Sequence, residues 1–159
     1  MERSGERAPE AKSGRRALIL LGCPEVPVQT SVAIYLSYRL RERGDEVTVA
    51  GTGAALKLTK LADPLGRYLG ETMNIDRCIG SISEGKIDYD LCFSFAHSDA
   101  GISYAGTISY ISRAELFVLI FGREAEELSE TVEFSCRKLV AKAVHNPMPL
   151  KRLIDEVID

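Results

Sequence analysis

The chain has 159 residues, of which 45% are hydrophobic and 27% charged, and its formal net charge at pH 7 is -3. That balance fits one globular domain with a substantial apolar core, and the slight negative charge supplies no general pull toward nucleic acid or an anionic membrane. No apolar run approaches the roughly 20 residues needed to span a bilayer.

The first fifteen residues are polar and contain no apolar signal core. They are expected to form a disordered tail before a single domain at 16–159, and the protein is expected in the cytoplasm. Residues 17–21 (A-L-I-L-L) then form a short continuous apolar run, the pattern of a parallel strand buried on both faces. Pro24 and Pro27 cannot continue that strand, but Pro27 suits the first turn of a helix. That helix is expected over 27–43, with Val28, Val32, Tyr35, Leu36 and Leu40 on one face and Gly44 stopping it.

A second strand is expected at 46–50, and Gly51-Thr52-Gly53 turns it into a helix over 54–61 that Asp63-Pro64 ends. Residues 65–73 are ambiguous and place a short third strand near 68–72. Asn74 caps a helix carrying the stripe Ile75, Cys78, Ile79 and Ile82, with Gly85 at its end. The fourth strand, 91–95, leads into His97-Ser98-Asp99-Ala100-Gly101, where Ser98 or Asp99 can cap a helix presenting Ile102, Ala105, Ile108 and Ile111 to a sheet. Gly101, Ala105 and Gly106 leave one side of that helix open to close approach. Residues 116–121 are the clearest strand, and Glu124, Glu126 and Glu127 place negative charge at the start of the next helix. A weaker strand signal at 139–144 is broken by His145-Asn146-Pro147, and a terminal helix follows over 150–158.

Alternating strands and helices imply an α/β, three-layer, Rossmann-like fold with a mostly parallel sheet in the order 3-2-1-4-5 and a sixth strand beyond if the weak signal holds. In such a sheet the winding reverses between strands one and four, and ligands bind in the crevice left at the carboxyl ends. That crevice would be lined by the Gly22–Gln29 turn and by the His97–Gly101 turn. Cys23 would sit there beside the N–H groups of a helix start, a position that favours thiolate.

The turn G-C-P-x-x-P-V-Q, the stretch A-A-L-K-L-x-K-x-A-D-P at 54–64, H-x-D-A-G at 97–101 and H-N-P-M-P-L at 145–150 stand in this order along the chain. Together they resemble a small archaeal family found in methanogens and catalogued as a domain of unknown function, number eighteen-ninety. The resemblance covers nearly everything after about residue 15. It implies a three-layer Rossmann-like fold and an association with methanogenic metabolism, and it implies no reaction.

The residues themselves leave three functions open. The first is a small ligand or cofactor held in the crevice, with Cys23 and His97 supplying polar or thiol chemistry. Glu25, Gln29, Ser98 and Asp99 would orient that ligand, and Gly22 and Gly101 would admit it to the backbone. The second is a sulfur-relay or redox protein using Cys23, and the third is a non-catalytic assembly or regulatory subunit. The other cysteines, Cys78 and Cys92 on apolar elements and Cys136 in a helix, read as small hydrophobes, and the four are too widely separated for a disulfide framework or a Cys-rich zinc site. Cys23, His97, Asp99 and His145 are ligands in kind for zinc or iron, but no two Cys or His are spaced as a chelating pair, so no metal is expected.

The cofactor is left unknown. Strand one is not followed by G-x-G-x-x-G, there is no Walker lysine, and Phe95 stands where a corrinoid module would have Asp before its His. The methanogen resemblance makes a corrinoid, a deazaflavin or a nickel porphinoid worth testing. Tyr104, Tyr110 and residues 65–73 carry apolar groups that the helical stripes do not bury, which suggests a homodimer with its interface away from Cys23.

Overall fold

The computed structural model describes residues 14–158. Six strands form one all-parallel sheet: β1 (Arg16–Leu21), β2 (Glu46–Gly51), β3 (Glu71–Asn74), β4 (Leu91–Ala96), β5 (Glu115–Ile120) and β6 (Arg137–Val140). Their order is β3-β2-β1-β4-β5-β6. In register, Leu21 lies opposite Gly51 of β2 and Leu20 opposite Ser94 of β4, so the chain leaves β1 between two neighbours whose ends it can meet.

Alternation along each central strand feeds two cores. Ala17, Ile19, Leu21, Phe93, Phe95 and Leu119 face the layer built by α1 (Val28–Glu42), α2 (Gly53–Ala62) and α6 (Met148–Val157). Leu18, Leu20, Cys92, Val118 and Ile120 face α3 (Ile75–Ser83), α4 (Asp99–Ile111) and α5 (Ala125–Glu130). Strands buried on both faces are largely apolar, which is why β1 and β5 read as nearly continuous apolar runs and β4 is interrupted only by the buried Ser94. Asn74 caps α3 by accepting from the N–H groups of Asp76 (2.9 Å) and Arg77 (3.2 Å). Gly44 and Gly85 follow α1 and α3 with φ of 99° and 72°, the left-handed backbone that stops a helix cheaply only at glycine.

Several boundaries differ from the sequence expectation. The third strand lies at Glu71–Asn74 rather than 68–72, because Asp63 holds the preceding loop against the end of α1: its carboxylate accepts from the N–H groups of Arg67, Tyr68 and Leu69. The sixth strand is Arg137–Val140 rather than 139–144, and Cys136 immediately precedes it in a segment outside any helix. After β6 the chain crosses the carboxyl end of β5, where Ala143 accepts from the N–H of Gly122 (2.9 Å). His145 therefore lies past the strand, exposed, while Asn146 accepts from the N–H of Met148 (3.1 Å) and seats α6. The expected tail at 1–15 falls outside the described residues up to 13, and Arg15 already joins the sheet end, its carbonyl accepting from Glu46 at 2.8 Å.

Candidate functional site

At the carboxyl edge, between the ends of β1 and β4, lies a hollow of about 180 Å³. The turn after β1 contributes Gly22, Cys23 and Glu25, and the turn after β4 contributes His97, Ser98 and Gly101. These six were expected there. Their meeting follows from the winding reversal, which sends α1 and α4 to opposite faces and leaves the two turns side by side.

Two expected residues lie elsewhere. Gln29 is buried behind the turn, 1% exposed, where its Nε2 donates to the Gly22 carbonyl at 2.9 Å. It shapes the Gly22–Cys23 backbone from beneath, and its Oε1 has no hydrogen-bond partner. Asp99 faces a neighbouring hollow of about 310 Å³ with Glu124, Glu127 and Thr131, and His97 and Ser98 form the wall between the two.

Phe95 at the end of β4 also lines it, and Thr52, Ala100 and Tyr104 complete the lining without having been named as site residues from the sequence. Signals for two of them existed. Thr52 sits in the Gly51-Thr52-Gly53 turn beside β1, and Tyr104 follows Gly101 by three residues, one helical turn on.

The imidazole of His97 is tied to backbone. Its Nε2 lies 2.8 Å from the Cys23 carbonyl oxygen. A carbonyl only accepts, so Nε2–H is the donor, and in the neutral ring Nδ1 is left as the acceptor. The ring thus locks the two turns together and engages the Cys23 carbonyl rather than its thiol. Phe121 supports it edge-on, with ring centres 5.5 Å apart.

The start of α1 also differs from expectation. The Val28 N–H donates to the Val144 carbonyl (3.0 Å) and the Gln29 N–H to that of Val26 (3.2 Å), because the chain crossing from β6 supplies an acceptor. Those two donors are not offered to Cys23. What the hollow does offer is unspent polarity: among the described residues, the Cys23 thiol, the Glu25 carboxylate and the hydroxyls of Ser98 and Tyr104 make no hydrogen bond within the protein. Gly22 adds room, since a Cβ built there would meet nothing within 4 Å. Gly101 is different: its open side is filled by β4 itself, where a Cβ would stand 2.7 Å from the Cα of Ala96.

Among the described residues, no group of three or more His, Cys, Asp or Glu side chains is placed to hold a metal ion, and no helix is long and apolar enough to cross a membrane. Cys23 is exposed, Cys78 and Cys92 are buried, and Cys136 is half-buried. Burial pushes the thiols of all three up, and it pushes the Tyr89 hydroxyl packed beside Cys78 up to about 12. Because thiolate is the reacting form, Cys23 is expected to be labelled first at limiting iodoacetamide, read by peptide mass spectrometry. Earlier labelling of any other cysteine would contradict this.

Tyr104 and Tyr110 do not share a surface with residues 65–73. Both tyrosines are on α4, where Tyr104 lines the hollow and Tyr110 stands 88% exposed, whereas 65–73 lies beyond α2 on the far edge of the sheet.

Known proteins share this architecture. A solved structure titled "Structure of MT0777" superposes with a TM-score of 0.78 at 38% identity, covering 90% of this chain and 96% of that one. The crystal structure of AnUbiX (PadA1) in complex with FMN and dimethylallyl pyrophosphate has a TM-score of 0.54 at 12% identity over 91% and 88% of the two chains, a likeness of fold alone. In sequence, the chain is 33% identical over 143 residues to the "Uncharacterized protein MJ0452" of the methanogen Methanocaldococcus jannaschii, spanning 89% of this chain and 95% of that protein. Residues 18–157 match the family model described as a domain of unknown function, DUF1890, and the chain belongs to that family.

Proposed function

We propose that the protein binds a small ligand or cofactor in the crevice between β1 and β4. The observation that carries this is a hollow at the winding reversal lined by four side chains, those of Cys23, Glu25, Ser98 and Tyr104, whose hydrogen-bonding groups are not used within the fold. At about 180 Å³ it is smaller than the roughly 300–1,000 Å³ of sites that enclose a whole drug-sized ligand. It suits a compact group or one end of a larger molecule. Ser98 and Tyr104 would donate or accept hydrogen bonds, Glu25 would accept them, and Gly22 would admit the ligand to the backbone.

Gly22 provides the test. It has a negative φ and no neighbour within 4 Å of a built Cβ, so Gly22→Val should fold normally while filling the hollow. Native mass spectrometry of the protein purified from its own organism should show a bound organic molecule on the wild type and at least about ten-fold less on the variant, a loss of about 1.4 kcal/mol. Equal retention by both would remove the crevice as the site.

A sulfur-relay role is a second reading, favoured by the exposure of Cys23 where Cys78 and Cys92 are buried and Cys136 is half-buried. A persulfide on Cys23 in the same spectra would support it in place of the ligand.

A further inference from the structure

Away from the crevice, the β3 edge of the sheet carries most of the large apolar side chains that the fold leaves in solvent. Leu58 and Leu61 project from α2, and Leu65 and Tyr68 from the loop after it; Leu61 is 77% and Leu65 73% exposed. Tyr68 meets Tyr38 of α1 edge to face, with ring centres 5.7 Å apart. Clustered exposed leucines of this kind mark a contact surface.

The loop that presents them is braced from below. Asp63 accepts from three of its N–H groups, Ser37 donates to the Tyr68 carbonyl at 2.6 Å, and Arg41 donates to the carbonyls of Arg67 (3.1 Å) and Leu69 (2.9 Å). Six loop backbone groups are thereby held by side chains. A loop ordered before binding loses little further entropy when a partner arrives.

The charge around the leucines selects the partner. Lys57, Lys60 and Arg67 are exposed, and none of the ion pairs among the described residues involves them. Of the nearby acids, Asp63 is buried on the loop N–H groups and Glu42 hydrogen-bonds Tyr38; Glu71, at the start of β3, is exposed, so three exposed cations face two exposed carboxylates. A chain of net charge -3 thus gathers three unpaired cations around its exposed leucines. A second copy docked here about a two-fold axis would set this excess of positive charge against itself. We infer that this surface docks a different protein, through a segment in which apolar side chains are flanked by carboxylates.

Zero-length carbodiimide cross-linking tests this, because it joins an amine only to a carboxylate in contact with it. Applied in cells of the source organism and read by peptide mass spectrometry, it should join Lys57 or Lys60 to an Asp or Glu lying among apolar residues of one other protein. The paired variant Leu61→Ser/Leu65→Ser, altered only at exposed positions and checked for an unchanged melting curve, should lower that product at least about ten-fold. Added salt should lower it as well.

Three results would overturn the inference. One is no cross-link from either lysine, or one of undiminished yield in the variant. Another is a cross-link only to the chain's own α5 glutamates Glu126, Glu127 or Glu130, which would make the occupant a second copy stacked head to tail. The last is flotation of the wild type, but not the variant, with phosphatidylserine-containing vesicles, which would make it a membrane surface.

Discussion

Replacing Gly101 by alanine is expected to lower the unfolding free energy by about 3 kcal/mol, near the upper end of what overpacking costs. Gly101 lies in the first turn of α4, where the helix crosses the strand that leads into it. An added Cβ would stand 2.7 Å from the Cα and 2.9 Å from the Cβ of Ala96, and 3.1 Å from the Phe95 carbonyl oxygen. None of these is the far end of a flexible side chain. Relief requires α4 to move off β4, which opens Ile102, Ala105 and Ile108 to water and displaces Ser98 and Tyr104 from the crevice. Urea titration checks it: the midpoint should fall with an unchanged slope. An unshifted midpoint would show that α4 is not held this closely.

Gly70→Ala is expected to cost about 2–3 kcal/mol by a more local route. A Cβ there would lie 2.0 Å from the carbonyl oxygen of Val47 in β2, a distance no adjustment of side chains relieves. Glycine in a strand approach often marks such backbone proximity. β3 is the sheet edge, with only β2 beside it, so the strand can peel away while the remaining five stay paired. Hydrogen exchange should therefore accelerate at the β3 amides Glu71–Asn74 well before those of β1 and β4. Uniform acceleration throughout the sheet would mean instead that β3 unfolds only with the whole domain.

These two glycines mark the boundary between what was legible in the chain and what was not. Both could be read as positions without a side chain, but only the folded structure names what fills the space. For Gly101 the occupant is the protein's own β4 rather than a ligand. The short edge strand shows the same limit. The residues of β3 are at most half-buried and touch one neighbour, so they carry neither an apolar run nor alternation. Its place was decided by Asp63, Gly70 and the Val47 carbonyl, contacts between segments far apart in the chain.

The crevice divides along the same line. That the turns after β1 and β4 flank one cleft followed from strand order, and strand order followed from apolar runs alternating with helical stripes. Which residues within those turns face inward did not. Each helical residue rotates the side chain by about 100°, so Ser98 and Gly101 reach the hollow while Asp99, between them in sequence, turns to the neighbouring one. Gln29 points into the core because the Gly22 carbonyl needs a donor, and Thr52 arrives from β2 only because that strand lies beside β1.

By itself the sequence determined the α/β class, the four central strands in their order, the caps at Asn74, Gly44 and Gly85, and the family. The class, strands and caps rest on periodicities and turn chemistry that operate within a few residues, and the family on the resemblance of the motifs at 22–29, 54–64, 97–101 and 145–150. The tertiary structure alone decided the lining of the crevice, the bond from His97 to the Cys23 carbonyl, the register of the edge strand and the bracing of the 63–69 loop by Ser37 and Arg41. Each of these depends on which distant backbone comes within a few ångströms, and local patterning carries no record of that distance.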